Sequence, residues 1–286
     1  MSTPEVKSFF DHVTNTVTHI IKDPASSKAA ILDPVMDYDA RSGKKSTQSA
    51  DEVIAYVRNK GLEIEWILES HVHADHLTAA PYIKEQVGGK IAVGDHITDV
   101  QTTWNGIFNY KEGTETDPAI FDHTFHDGDH FNIGELDVEV MYTPGHTAID
   151  LTYVIGSAAF VGDTLFMPDY GTARTDFPGG DAHALYKSIQ KILALPDDTT
   201  LYMCHDYLPK TGRTKYAWET TVGEQKGNVM VAGMNEDEFV ATRESRDKDL
   251  AAPLLLYPSL QVNIRAGHMP PAEDNGVSYI KVPVKD

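Results

Sequence analysis

The chain has 286 residues, 41% hydrophobic and 23% charged, enough to bury a large core in an ordinary globular protein. Lys and Arg number 24 against 43 Asp and Glu, a formal charge of −19 that argues against nucleic acid or an anionic membrane as partner. The single cysteine, Cys204, excludes an internal disulfide framework and any cysteine-based zinc knuckle. No apolar run approaches 18 residues, and Met1 to Val13 has no long apolar stretch, so the cytoplasm is the expected location.

In chain order, Val17 to Ile21 and Ala29 to Leu32 read as two strands, the second ended by Asp33-Pro34, with Asp37 to Ser46 a loop. Ser49-Ala50-Asp51-Glu52 has the form of a capping box and opens a helix with Val53, Ile54 and Val57 on one face, stopped at Gly61. Ile64 to Glu69 reads as a buried strand and Leu77 to Val87 as the next helix. Lys90 to Val93 is a further strand. From Gly94 to Gly128 the pattern weakens, and Trp104, Phe108, Tyr110 and Phe121 suggest a packed excursion that doubles as a candidate interface. Strands follow at Phe131 to Ile133, Val138 to Tyr142, Leu151 to Ile155, Ala158 to Val161 and Thr200 to Met203. Asp181 caps a helix with Leu185, Ile189, Ile192 and Leu193 on its apolar face. Beyond Tyr207 the chain is less regular, with a helix over Glu236 to Arg246 and a last strand near Val277 to Val282. This alternation is that of an α/β protein. It is expected to form one domain over 1–286, with 207–286 packed on it.

Ligand-type residues sit where strands end: His71, His146, Asp163 and His205. The densest group is Ser70-His71-Val72-His73-Ala74-Asp75-His76, three imidazoles and a carboxylate in a short span. In extended backbone His71 and His73 project to one side, while Asp75 and His76 reach the same hollow from a turn. Imidazole with carboxylate suits zinc, iron or manganese. His123, His126 and His130 read instead as a solvated turn around Asp127-Gly128, and His183 as surface. Cys204 reads as a small buried hydrophobe.

His71-x-His73-x-Asp75-His76, His146 in Thr-Pro-Gly-His-Thr, Asp163 in Gly-Asp-Thr, and His205 together resemble the metallo-β-lactamase superfamily. The resemblance implies an αββα sandwich of two mixed sheets flanked by helices, with a metal at one edge. Arg174-Thr175-Asp176-Phe177, Cys204-His205-Asp206-Tyr207, Met167 to Gly171, and Val262 to Gly267 are similar to the bacterial persulfide dioxygenase branch. That likeness implies one iron(II) per chain on His71, His146 and Asp163, with glutathione persulfide and O2 as substrates. His73, Asp75, His76 and His205 would orient ligands and solvent, or else hold a second metal ion. Arg174 and Tyr207 match positions that grip the glutathione moiety, and both are carried as catalytic candidates. A second basic position of the family falls in Val229-Met230-Val231 and is unmatched, with Lys226 as substitute, and the cysteine some members carry is Ala266 here. The alternative is a dinuclear or zinc hydrolase of glutathione thioesters, of the glyoxalase II kind. A homodimer or tetramer is left open.

Overall fold

The strands read as apolar runs because most are covered on both faces. Ile20, Ile31 and Ile67 pack against helix residues such as Val53, Val57 and Ile83. Their neighbours Ile21, Leu32 and Leu68 meet Phe131, Val138 and Tyr153 on the opposite side. This is the period two of extended chain. The computed structural model describes residues 3–110 and 117–284. Among them, one sheet runs in the order Glu5–Phe10, Val17–Lys22, Lys28–Leu32, Glu63–Leu68, Lys90–Gly94, His123–Phe125. The second runs His130–Ile133, Leu136–Tyr142, Leu151–Ile155, Ala158–Phe160, Thr200–Tyr202, Glu219–Thr221. Both sheets mix parallel and antiparallel pairs and pack face to face. Helices Gln48–Lys60, Ala80–Val87, Ile97–Phe108 and Leu256–Asn263 cover the first sheet, and Ala182–Leu193 and Glu236–Asp247 cover the second. The layers are therefore in the αββα order that the family resemblance implies. No helix among the described residues is long and apolar enough to cross a membrane.

Several local expectations are corrected. The loop expected over Asp37 to Ser46 is a hairpin of Val35–Asp39 with Lys44–Ser46, turned at Gly43. Its outer strand is wholly exposed and so carries no apolar alternation. The first helix starts at Gln48, and Ser49 is not its cap: its N–H and hydroxyl donate to Asp37 at 3.0 and 2.7 Å. Leu77–Thr78 is a short strand paired with Val35–Met36, and the helix begins at Ala80, with Pro81 in its first turn. The excursion after Gly94 holds helix Ile97–Phe108, whose Trp104 and Phe108 join Phe121 in the core. They do not form an exposed aromatic interface. Residues 111–116 of that stretch lie outside the described residues. His123–Phe125 is a strand, so only 126–129 is the turn, and no strand forms near Val277 to Val282.

Topology brings the ligand-type residues to one rim. Leu136–Tyr142 and Ala158–Phe160 each run antiparallel to Leu151–Ile155, and Thr200–Tyr202 runs parallel to Ala158–Phe160. His146, Asp163 and His205 therefore leave the second sheet at the same end. In the first sheet Lys28–Leu32 and Glu63–Leu68 are parallel, so Asp33 and His71 also share an end.

Candidate metal centre

Each histidine of the rim is held by one ring nitrogen. His146 Nδ1–H donates to the Arg174 carbonyl at 2.8 Å, and His205 Nδ1–H donates to the Asn15 carbonyl at 3.1 Å. His71 Nδ1 meets Ser70 Oγ at 2.9 Å, and His76 Nδ1 meets Thr16 Oγ1 at 3.3 Å. The opposite nitrogens point inward. Nε2 of His71, His76 and His205 is buried without a hydrogen-bond partner, and so is Asp163 Oδ1. Buried polar atoms are almost always paired, so a cluster of converging orphans of this kind suits a cation held among them. Asp163 stands at its centre: Oδ2 lies 3.9 Å from His71 Nε2 and 3.6 Å from His146 Nε2, and Oδ1 lies 3.4 Å from His205 Nε2. Donors held about 2.0–2.2 Å from one ion sit roughly 3–3.5 Å apart, so little movement would close the set.

Of the four overlapping donor groups among the described residues, the two without Cys204 are built from the rim ligands. His71, His146 and Asp163 form one, and His73, Asp75, His76 and His205 form the other. Burial, together with repulsion from His73, His146, His205 and His76, holds His71 well below the ordinary histidine value, leaving a neutral ring with a lone pair. His76 is lowered by burial and by His73. Burial opposes the Asp75 carboxylate, but the His205 and His76 charges outweigh it and hold its carboxyl below the ordinary value.

His73 is held through the other ring nitrogen, which leaves its Nδ1 buried without a hydrogen-bond partner among the described residues. Its ring lies 4.0 Å from that of His71, yet Nε2–H donates to Asp33 Oδ1 at 3.0 Å, with Glu69 Oε2 at 3.4 Å. Burial disfavours its imidazolium, but the charge and hydrogen bond of Asp33, aided by Glu69, raise it well above the ordinary value. The same contacts overrule burial at Asp33 and hold its carboxyl low, while burial leaves Glu69 raised. Neither carboxylate was foreseen. In the sequence Asp33 marks only the end of a strand, and its positive φ of 51° is what sets the position apart. Asn263 was also missed as a support: its amide donates to the carbonyls of His73 and His76 at 2.9 and 2.8 Å, and its oxygen accepts from Thr78 N–H.

The turn carrying His146 depends on Gly145. It has φ +143°, and a Cβ there would run into the backbone of Leu185. Gly145→Ala is expected to cost about 2–3 kcal/mol through strain and overpacking, and to displace His146. Denaturant midpoint and metal content, measured together, check this; an unchanged midpoint would mean the turn yields freely.

A cavity of about 360 Å³ opens beside Asp163 and His146, within the size range of small-molecule sites. Phe166, Tyr170, Phe177 and Tyr207 give it aromatic walls. Tyr207 stacks on His205 at 5.5 Å, and burial pushes its phenol well above the ordinary value, so it stays protonated. Arg174 also lines the cavity, but its guanidinium is clamped by Asp176. Lys226 is not on the wall; it is exposed and paired with Asp197. Burial raises the Cys204 thiol well above its usual value, so it is inert. His126, His130 and His183 are exposed and face acidic neighbours, and the exposed His123 ring sits edge-on to Trp66 and Phe125, all apart from this cluster.

Two mixed sheets face to face, with imidazoles and carboxylates converging at one rim below a cavity, define a metal-binding protein of the αββα class. The chain belongs to the metallo-β-lactamase superfamily, whose model matches residues 14–205. It is 50% identical to a probable metallo-hydrolase of Burkholderia pseudomallei, over 98% of each chain. It is 50% identical to a beta-lactamase hydrolase-like protein of Agrobacterium fabrum over 98% of this chain, which spans 65% of that protein. Glyoxylase B2 of Dictyostelium discoideum is 47% identical over 93% of this chain and 91% of its own. The mitochondrial persulfide dioxygenase ETHE1 of Bos taurus is 26% identical over 93% and 90%. Among solved structures, ETHE1 from Myxococcus xanthus superposes with a TM-score of 0.73 at 28% identity, over 92% of this chain and all of that one.

Proposed function

We propose that this protein is a glutathione-dependent persulfide dioxygenase using one iron(II) per chain. The observation that carries the reading is the donor set: His71, His146 and Asp163 converge, with Asp163 and His146 facing the cavity. Two histidines and one carboxylate with positions left open is the donor set of non-haem iron(II) oxygenases. Iron(II) held there would supply a redox-active Lewis acid through which sulfur can pass electrons to dioxygen. The likeness to persulfide dioxygenases across nearly the whole chain supports the same reading.

The reaction balances as glutathione persulfide, O2 and water giving glutathione, sulfite and two protons. The S–S bond breaks, the terminal sulfur gives up four electrons, and O2 accepts them. The chain's own residues bind and shield the substrate. Phe166, Tyr170 and Phe177 exclude water from the cavity. The neutral Tyr207 phenol has no hydrogen-bond partner among the described residues, so it is free to donate to a substrate thiolate. Asp163 and His146 line the cavity floor, with their approach fixed by the Arg174 carbonyl and the glycine turn.

A second reading, a dinuclear hydrolase of glutathione thioesters, is favoured by the adjoining His73, Asp75, His76 and His205 group and by the likeness to Glyoxylase B2. Oxygen uptake by anaerobically iron-loaded protein on adding glutathione persulfide separates the two. Uptake matched one-to-one by sulfite, with about one iron per chain, is the expected result. No uptake, two metals per chain and hydrolysis of lactoylglutathione would move the assignment to the hydrolase.

A further inference from the structure

The cavity wall carries three guanidinium groups, and two of them are already neutralised. Arg174 donates to both oxygens of Asp176 at 2.6 and 2.7 Å, and to the Ala251 carbonyl at 2.7 Å. Arg243 is buried, donating to Asp247 at 3.0 and 2.5 Å and to the Thr172 carbonyl at 3.0 Å. Arg246 follows on the same helix and is half-buried. Its hydrogen bond to the Tyr170 carbonyl is long, 3.5 Å, and its guanidinium lies 5.5 Å from the Tyr170 ring centroid. Among the described residues no carboxylate comes within ion-pair distance of it. In a chain of net charge −19, a cation left without a counter-ion on a cavity wall calls for an anionic occupant.

The wall between Arg246 and the metal ligands is a ladder of rings. His205 stacks on Tyr207 at 5.5 Å, Tyr207 lies 5.2 Å from Tyr170, and Tyr170 carries Arg246. A thiol end beside Asp163 and a carboxylate at Arg246 would lie at opposite ends of this ladder, as a tripeptide reaching about 10 Å requires. The geometry points to Arg246 as the residue that grips a carboxylate of the substrate, in the role expected of Arg174 and Lys226. This rests on the glutathione persulfide reading. The guanidinium fork donates two parallel hydrogen bonds to a carboxylate, which a clamped Arg174 has no free edge to do.

The test is steady-state oxygen uptake by iron-loaded wild type, Arg246→Ala and Arg246→Lys. Two substrates are compared: glutathione persulfide, and mercaptoethanol persulfide, which has no carboxylate. In Arg246→Ala, KM for glutathione persulfide should rise about 10- to 100-fold at equal iron content, with a smaller rise in Arg246→Lys. KM for mercaptoethanol persulfide should move far less. An unchanged KM for glutathione persulfide, or an equal rise for both substrates, overturns the assignment. If wild type oxidises neither persulfide, it is the dioxygenase reading that has failed. Calorimetric binding of glutathione to wild type and Arg246→Ala then decides: affinity weakened about 10-fold or more sustains the role of Arg246, and equal affinity ends it.

Discussion

Asp163→Ala is expected to leave a folded protein that neither holds iron nor consumes oxygen. Asp163 supplies the one carboxylate of the His71, His146 group, and its two oxygens face three imidazole nitrogens at 3.4–3.9 Å. Removing it leaves two imidazoles without a carboxylate, a weak set for a divalent ion that prefers a charged oxygen donor. Turnover should fall well beyond the roughly 10- to 100-fold that follows loss of an outer hydrogen-bond partner. The fold should survive, because the carboxylate's Oδ1 makes no hydrogen bond and its removal strands no donor that it was satisfying. Metal analysis and circular dichroism on the same sample check the outcome. Iron retained at the wild-type level would mean the ion sits on His73, Asp75, His76 and His205 instead, and the ligand assignment would be wrong. Since both functional readings need Asp163, the variant tests the site, while the wild-type metal count separates the readings.

Much of the fold was legible because its strands are buried on two faces. Runs such as Ala29 to Leu32 and Ile64 to Leu68 must be apolar throughout when one side meets helices and the other a second sheet. The elements that escaped lack such a signal for identifiable reasons. Lys44–Ser46 is exposed along its length, so only pairing with Val35–Asp39 makes it a strand. Helix Ile97–Phe108 has apolar residues at 97, 100, 104 and 108, but Thr98, Thr102, Thr103 and Gly106 are poor helix formers and blur them. Helix Leu256–Asn263 buries Ser259 through Asn263 consecutively, and a helix buried all round shows no amphipathic stripe.

The candidate site was legible in its inventory and hidden in its orientation. Histidine spacing could place His71 and His73 side by side, and their rings are indeed 4.0 Å apart. It could not say that His73 presents Nε2 to Asp33, because that depends on a residue from another strand. Likewise Arg174 was assigned a substrate carboxylate from its motif, while Asp176, two residues on, already takes its fork. Arg246 carries no motif at all, and only the cavity brings it beside Tyr170 and Tyr207.

Asp33→Ala is expected to be the most destabilising single change near the site, by about 3–5 kcal/mol, because it strands a buried imidazolium. Asp33 and His73 are each about 1% exposed or less, and Asp33 also accepts the Ser70 N–H at 2.7 Å. Alanine further strains at φ +51°, whereas asparagine tolerates that conformation and keeps an acceptor for Ser70, so Asp33→Asn should cost less. The acid side of the pair contributes above about pH 4, and its contribution fades as pH falls through the lowered Asp33 value. The base side is fully present below about pH 6.5 and is lost as pH rises through the raised His73 value. Urea unfolding of metal-free protein near pH 6 should therefore show the full difference, and the gap between wild type and Asp33→Ala should narrow at either extreme. A loss under about 1 kcal/mol at pH 6 would mean that His73 is not held as a charged partner. The consequence for chemistry follows from the same contact. The contact engages Nε2 and leaves His73 Nδ1 buried without a hydrogen-bond partner among the described residues, so Asp33→Asn frees no further ligand atom and iron should stay at about one per chain. A rise toward two ions per chain would mean that the hydrogen bond to Asp33 governs how many ions the site holds.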